Sequence, residues 1–278
     1  MKNIGQAGLQ TSFIVKRALL KKALRGGATC QQELDAEIDA PSKAPWMQLV
    51  TTIQNIKGKG IATLLGKVKE KDVIVKVQFA DQAKNEHDIQ QTLKSNDVQG
   101  FVEFLCFATC EGDKDYIESF ALFNDASRLC KAKGVSMGVI IMPYYKNKSF
   151  EDFLKTYVKV DKEKISSRIV EKTIRSLFDA YDKTGFTHGD CFPKNVVLDH
   201  EYQPIIIDFE KSAFDSPNKV MRFWRDIDDF MGDVSRYVFH GKLDDICRGH
   251  VFMNLAMNQG PTEDNIRKLI DAVSELSS

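Results

Sequence analysis

His188-Gly189-Asp190-Cys191-Phe192-Pro193-Lys194-Asn195, followed shortly by Ile206-Ile207-Asp208-Phe209-Glu210, is the stretch whose reading decides the fold. Asp190 and Asn195 stand five residues apart, so one loop can present both side chains. Asp208 closes a run of three isoleucines and would point into the same mouth. Two β-like runs, Asn195 to Leu198 and Pro204 to Ile207, sit around the turn-like Asp199-His200-Glu201 and join the blocks. Phosphoryl transfer from a nucleotide needs a carboxylate to position the attacking hydroxyl and accept its proton. It also needs an amide oxygen and a second carboxylate to hold magnesium. Asp190, Asn195 and Asp208 supply that set.

Upstream, Met47 to Gln54, Ile61 to Val68 and Val73 to Phe79 read as three consecutive antiparallel strands, separated by Lys57-Gly58-Lys59-Gly60 and Lys69-Glu70-Lys71-Asp72. The segment Asp81 to Ser95 is helical, with Glu86, Ile89 and Leu93 on one face. A carboxylate on an inward face calls for a cationic partner. Two further β-like runs, Phe101 to Cys110 and Ser136 to Met142, bracket a polar stretch, Glu111 to Gly134, read as an insertion or long loop. After Pro143 the chain turns helical: Ser149 with Asp152 forms a capping box opening a helix to about Val158, and a longer helix runs from Lys162 to Lys183 with Gly185 as its stop. Helices are also expected over Arg225 to Phe239 and, behind a Thr262 cap, Glu263 to Leu276.

The decisive stretch resembles the protein-kinase superfamily, whose catalytic loop reads H-R-D-x-x-x-x-N and whose metal-binding turn reads D-F-G. Val73-Ile74-Val75-Lys76 is similar to the superfamily's V-A-I-K strand, and Glu86, ten residues on, then matches the helix partner of that lysine. Gly58-Lys59-Gly60 stands where the phosphate-covering loop belongs, with Thr63 in place of the third glycine. Ile140-Ile141-Met142-Pro143-Tyr144 resembles the hinge whose backbone bonds adenine. The match runs from about Trp46 to Phe230.

The resemblance implies an α+β, two-lobed protein-kinase-like fold, with a small antiparallel β-rich lobe over residues 46–143, a mainly helical lobe over 144–278 and an extension over 1–45. It implies ATP and magnesium, or manganese, as cofactors. Lys76, held by Glu86, would contact the phosphates, Gly58 and Gly60 would cover them, and Met142 and Tyr144 would meet the base. Asn195 and Asp208 would be the metal ligands and Asp190 would orient the acceptor hydroxyl. His188 would brace the loop rather than act as a base, and Cys191 would be a small filler.

The departures narrow the branch. His-Gly-Asp with Asp-Phe-Glu is the wording of the atypical members: RIO-like kinases, the small kinase of the KEOPS complex, and aminoglycoside, choline and lipopolysaccharide-sugar kinases. Gly189 replaces the arginine that pairs with a phosphorylated activation segment, and Asp226 follows Asp208 by only 18 positions. Asp226 or Asp228 resembles the helix aspartate that braces the catalytic loop from below. Phe192 stands where protein kinases carry the lysine that neutralises the transferred phosphate, and Lys194 lies two residues later. With about 70 residues after Asp208, a compact serine/threonine protein kinase is expected, with a sugar or small-molecule kinase, or a nucleotide-binding pseudokinase, as alternatives.

Composition fits a folded chain and limits its partners. The 278 residues are 43% hydrophobic, and 39 Lys and Arg balance 39 Asp and Glu, so no overall charge draws the protein to nucleic acid or an anionic membrane. No apolar run reaches the roughly 20 residues of a membrane span, and no signal peptide is recognisable, so an intracellular, cytoplasmic location is expected. Six scattered cysteines read as reduced thiols. The acid-free residues 1–30, with Lys16, Arg17, Lys21, Lys22 and Arg25, form a basic segment able to contact a partner; the protein substrate itself is not specified by the sequence.

Overall fold

The computed structural model describes residues 47–56, 61–68, 71–111, 136–147, 149–159, 161–239 and 260–275. The extension 1–45, the Gly58 to Gly60 turn, nearly all of the Glu111 to Gly134 stretch, and Cys30, Cys130 and Cys247 lie outside them. The chain divides into two compact units, one holding the residues up to Asp88 and Glu103–Tyr144, the other Ile89–Val102 and Tyr145–Ser278. The fold is α+β.

The first unit is built on a five-stranded antiparallel sheet. Its strands are β1 (Met47–Ile56), β2 (Ile61–Val68), β3 (Lys71–Phe79), β4 (Cys106–Glu111) and β5 (Ser136–Pro143), in the order β1-β2-β3-β5-β4. The β3–β5 register sets Lys76 opposite Ile140 and Ile74 opposite Met142. Side chains alternate along a strand, so Lys76 and Gln78 share a face; both are buried. Helix α1 (Ala80–Ser95) follows β3 directly, and its period brings Ala83, Glu86, Ile89 and Leu93 inward, all of them buried. The segment 101–105 does not extend β4: Gly100 to Val102 belong to the second unit, within which Phe101 bridges to Ile206, Val102 N–H donates to Ile206 O at 3.0 Å and Ile206 N–H to Gly100 O at 2.8 Å.

The second unit is mainly helical. Helix α2 (Phe150–Thr156) opens on the expected capping box: Asp152 N–H donates to Ser149 Oγ at 3.1 Å and Ser149 N–H to Asp152 Oδ2 at 3.4 Å. Helix α3 (Lys162–Thr184) buries Ile169, Val170, Ile174, Leu177 and Ala180, and ends on Gly185. Gly185 has φ +67°, and a Cβ there would lie 2.4 Å from Asp215 Oδ1, so glycine is required for this stop. Short strands β6 (Phe186–Thr187), β7 (Val196–Leu198), β8 (Pro204–Ile206) and β9 (Ala213–Phe214) pair as two small ladders, β6 with β9 and β7 with β8.

Helix α4 (Lys219–Tyr237) starts six residues before the expected Arg225, which corrects the reading of that boundary. Its buried face, Phe223, Trp224, Ile227, Phe230, Met231 and Val234, begins in the added turn, so packing extends the helix where no side-chain cap marks it. Helix α5 (Glu263–Glu275) follows Thr262, whose Oγ1 accepts from Asn265 N–H at 3.3 Å, and buries Ile266, Leu269, Ile270 and Val273. The aromatic rings of Phe101, Phe186 and Phe209 meet beside His188 in the centre of this unit.

Candidate active site

In the first unit the candidate residues form a buried triad. Lys76 Nζ lies 2.6 Å from Glu86 Oε1, and Gln78 Nε2 donates to the same oxygen at 2.9 Å. The Lys76 and Glu86 side chains are only 11% and 1% exposed, so each charge depends on the other. Gln78, which the sequence reading did not single out, fixes the carboxylate from a second direction. Its position two residues after Lys76 on the same strand was the available signal. Met142 is buried on β5, and Tyr144 N–H donates to Asp72 O at 3.2 Å, which ties the end of β5 to the start of β3.

In the second unit the loop after β6 is held from behind. Asp226 Oδ2 accepts His188 N–H and Asp226 Oδ1 accepts Gly189 N–H, each at 2.7 Å. Asp226 is therefore the bracing aspartate, whereas Asp228 is exposed. Burial pushes the Asp226 carboxyl up to about 6, against the two amide hydrogen bonds that favour its charged form. Gly189 has φ +77°, and a Cβ there would meet Lys211 O at 2.5 Å and Arg222 Nη2 at 2.7 Å. Glycine stands in this loop because the next turn packs on its backbone.

His188 is fully buried, which lowers its imidazole below the ordinary value and keeps it neutral. Asp190 N–H approaches Nδ1 at 3.3 Å and Nε2 lies 3.0 Å from Ile207 O, so Nε2 carries the proton and Nδ1 accepts. With both nitrogens engaged by backbone, the ring is a brace. Burial likewise pushes the Cys191 thiol well above its usual range, so it stays a thiol that packs.

Asp190 is the focus of the cluster. Asn195 Nδ2 donates to its backbone oxygen at 2.8 Å and to Oδ2 at 3.0 Å. Lys211 Nζ donates to Oδ1 at 2.5 Å, and Lys194 Nζ lies 3.6 Å from Oδ2 and 5.2 Å above the Phe192 ring. Burial alone would raise the carboxyl, but the Lys211 hydrogen bond, the Lys194 and Lys211 charges and the Asn195 bond together hold it below the usual carboxylate range. Lys211 was missed by sequence reasoning. It follows Asp208 by three positions in a polar turn, with no periodicity to mark it.

The metal-ligand candidates are joined through the backbone: Ile207 N–H, next to Asp208, donates to Asn195 O at 2.9 Å. Asp208 has φ +69°, an unusual conformation for a residue with a side chain and one that concentrates at functional turns. Because Asn195 gives Nδ2 to Asp190, its Oδ1 is the oxygen that a metal ion could use. Among the described residues there is no group of three or more His, Cys, Asp or Glu arranged to hold a metal. One amide and one carboxylate oxygen suit magnesium, which keeps waters and substrate phosphates in its shell rather than demanding a protein cage.

A hydrogen-bonded Asp and Asn on one loop, an Asp on the following turn, and a buried lysine–glutamate pair beside an antiparallel sheet define a protein-kinase-like protein. The family model described as RIO domain matches residues 69–244, well over half of the chain and a span holding Lys76, Glu86, Asp190, Asn195 and Asp208. The chain belongs to the RIO-domain family, an atypical kinase-like family of ATP-binding phosphotransferases. No curated protein matches it. No helix among the described residues is long and apolar enough to cross a membrane.

Proposed function

We propose that this chain is a magnesium-dependent serine/threonine protein kinase that moves the γ-phosphoryl group of ATP to a hydroxyl. The observation that carries this reading is the state of Asp190: a carboxylate kept ionised by cations and oriented by Asn195. In this reading residues 46–143 and 144–278 act as the two lobes. Lys76, held by Glu86 and Gln78, meets the α- and β-phosphates, Gly58 and Gly60 cover them, and backbone at Met142 and Tyr144 receives the adenine. Asn195 and Asp208 hold magnesium, which supplies charge neutralisation on the phosphates. Asp190 orients the hydroxyl and accepts its proton, and no covalent enzyme intermediate is needed. Lys194 and Lys211 beside the base are 55% and 57% exposed, which is compatible with a side chain of a protein acceptor reaching it.

The test is a panel of acceptors incubated with γ-labelled ATP and magnesium: unstructured proteins rich in serine and threonine, and small hydroxyl compounds including aminoglycosides, choline and sugars. Label recovered as phosphoserine or phosphothreonine supports the reading. Label recovered only on a small compound transfers the assignment to the small-molecule branch, and no label on any acceptor or on the chain itself overturns it.

A further inference from the structure

Phe192 leaves the catalytic loop without a cation at the place where protein kinases carry one, yet the transferred phosphoryl group still has to be neutralised as it passes. Two lysines reach Asp190, and they differ. Lys194 is drawn over the Phe192 ring and stands 3.6 Å from Oδ2, an oxygen that Asn195 already occupies. Lys211 reaches Oδ1 at 2.5 Å, on the oxygen that Asn195 leaves open. The backbone that carries Lys211 is pinned three times: its carbonyl accepts Arg222 Nη2 at 2.7 Å, Ser212 N–H donates to Phe209 O at 3.0 Å, and Ser212 Oγ donates to His188 O at 3.0 Å. The fixed turn thus sets the point from which the side chain starts, while the side chain itself, more than half exposed, is able to exchange partners.

We propose that Lys211, from the turn after Asp208, is the catalytic cation of the transferred phosphoryl group, and that its contact with Asp190 covers the base until phosphate draws it away. The inference rests on the phosphotransfer reading above. In the reaction the bond between the γ-phosphorus and the β,γ-bridging oxygen breaks, and its electron pair leaves with ADP. The acceptor oxygen forms the new bond to phosphorus, and its proton passes to the Asp190 oxygen that Lys211 vacates. Lys211 keeps its own proton throughout and pairs with the equatorial phosphoryl oxygens.

The test compares wild type with Lys211→Met and Lys211→Arg in the full chain, with Lys219→Ala as a control that removes a lysine paired with Asp215 and lying over the Tyr181 ring rather than reaching Asp190. Single-turnover transfer from γ-labelled ATP is measured alongside the thermal shift given by magnesium-ADP and by magnesium-ADP with aluminium fluoride, a planar mimic of the phosphoryl group in flight. Lys211→Met is expected to lower the transfer rate about 100-fold, the scale of losing one preorganised transition-state contact. It should leave ADP affinity within about threefold and abolish the extra stabilisation by aluminium fluoride. Lys211→Arg should recover part of both, and Lys219→Ala should match wild type. Equal transfer and equal fluoride response in Lys211→Met would overturn the proposal, as would faster transfer, which would make Lys211 a cover alone. If wild type itself transfers no more label than Asp190→Asn, the phosphotransfer reading has failed, a result separate from either of these.

Discussion

Two lysine–carboxylate contacts of nearly equal length, Lys76 with Glu86 at 2.6 Å and Lys211 with Asp190 at 2.5 Å, are physically opposite. The first pair is buried on both sides, with Gln78 as a further donor; in the second the lysine is 57% exposed and the carboxylate has three partners. Distance does not separate them, but solvent does. A buried pair fixes geometry because separating the charges would leave them in a place that water hardly reaches, whereas an exposed pair exchanges partners at little cost. That division suits the proposed chemistry, in which Lys76 would hold a nucleotide and stay, and Lys211 would follow a moving phosphoryl group and not.

The contrast can be broken first at the buried pair. Glu86→Ala leaves the Lys76 ammonium buried without its carboxylate and is expected to cost about 3–5 kcal/mol in urea or thermal unfolding. A loss below about 1 kcal/mol would mean that water reaches Lys76 and that the pair is not the fixed element. Next in size is Asp226, whose carboxyl titrates in the folded chain at about 6 instead of near 4. Because the folded value is raised, ionised Asp226 opposes folding above about pH 6, and that cost fades as pH falls towards 4. The pH dependence of unfolding should therefore differ between wild type and Asp226→Asn by on the order of 2 kcal/mol between pH 7 and pH 4. At pH 4 the asparagine variant should be the less stable, since its side chain can accept only one of the two amides of His188 and Gly189. Parallel pH curves would contradict the raised value of the Asp226 carboxyl.

Gln78→Ala sharpens the comparison. It removes one donor and leaves the ion pair, so a loss of about 1 kcal/mol is expected, together with weaker ATP binding if Glu86 drifts. The smallest effect belongs to the exposed pair: Lys211→Met should change stability by less than about 1 kcal/mol while altering catalysis. A large loss of stability there would place Lys211 with Lys76 as a structural residue.

Much of this was legible in the sequence, where local rules apply. The capping box at Ser149, the Gly185 stop and the inward face of Glu86 follow from spacing, and the Asp190, Asn195 and Asp208 set follows from the chemistry of the quoted stretch. What stayed hidden depends on contacts across the chain. The apolar run from Phe101 reads as one strand, yet its first residues pair with Ile206, a partner that local pattern does not name. Asp226 and Asp228 are two apart and indistinguishable in sequence, until the helix face buries one with Phe223 and Phe230 and exposes the other. Lys211 is a lysine in a turn like many others, and only the pins from Arg222 and Ser212 direct it to Asp190.

The central claim, that Asp190 is the carboxylate through which this RIO-domain chain transfers phosphate, is tested most directly by single-turnover transfer from γ-labelled magnesium-ATP in wild type and Asp190→Asn, with ATP affinity measured on both. The account expects the variant to bind ATP within about threefold of wild type and to transfer at least about 100-fold more slowly, as for loss of a positioned acid–base group. Equal rates in the two proteins would contradict it.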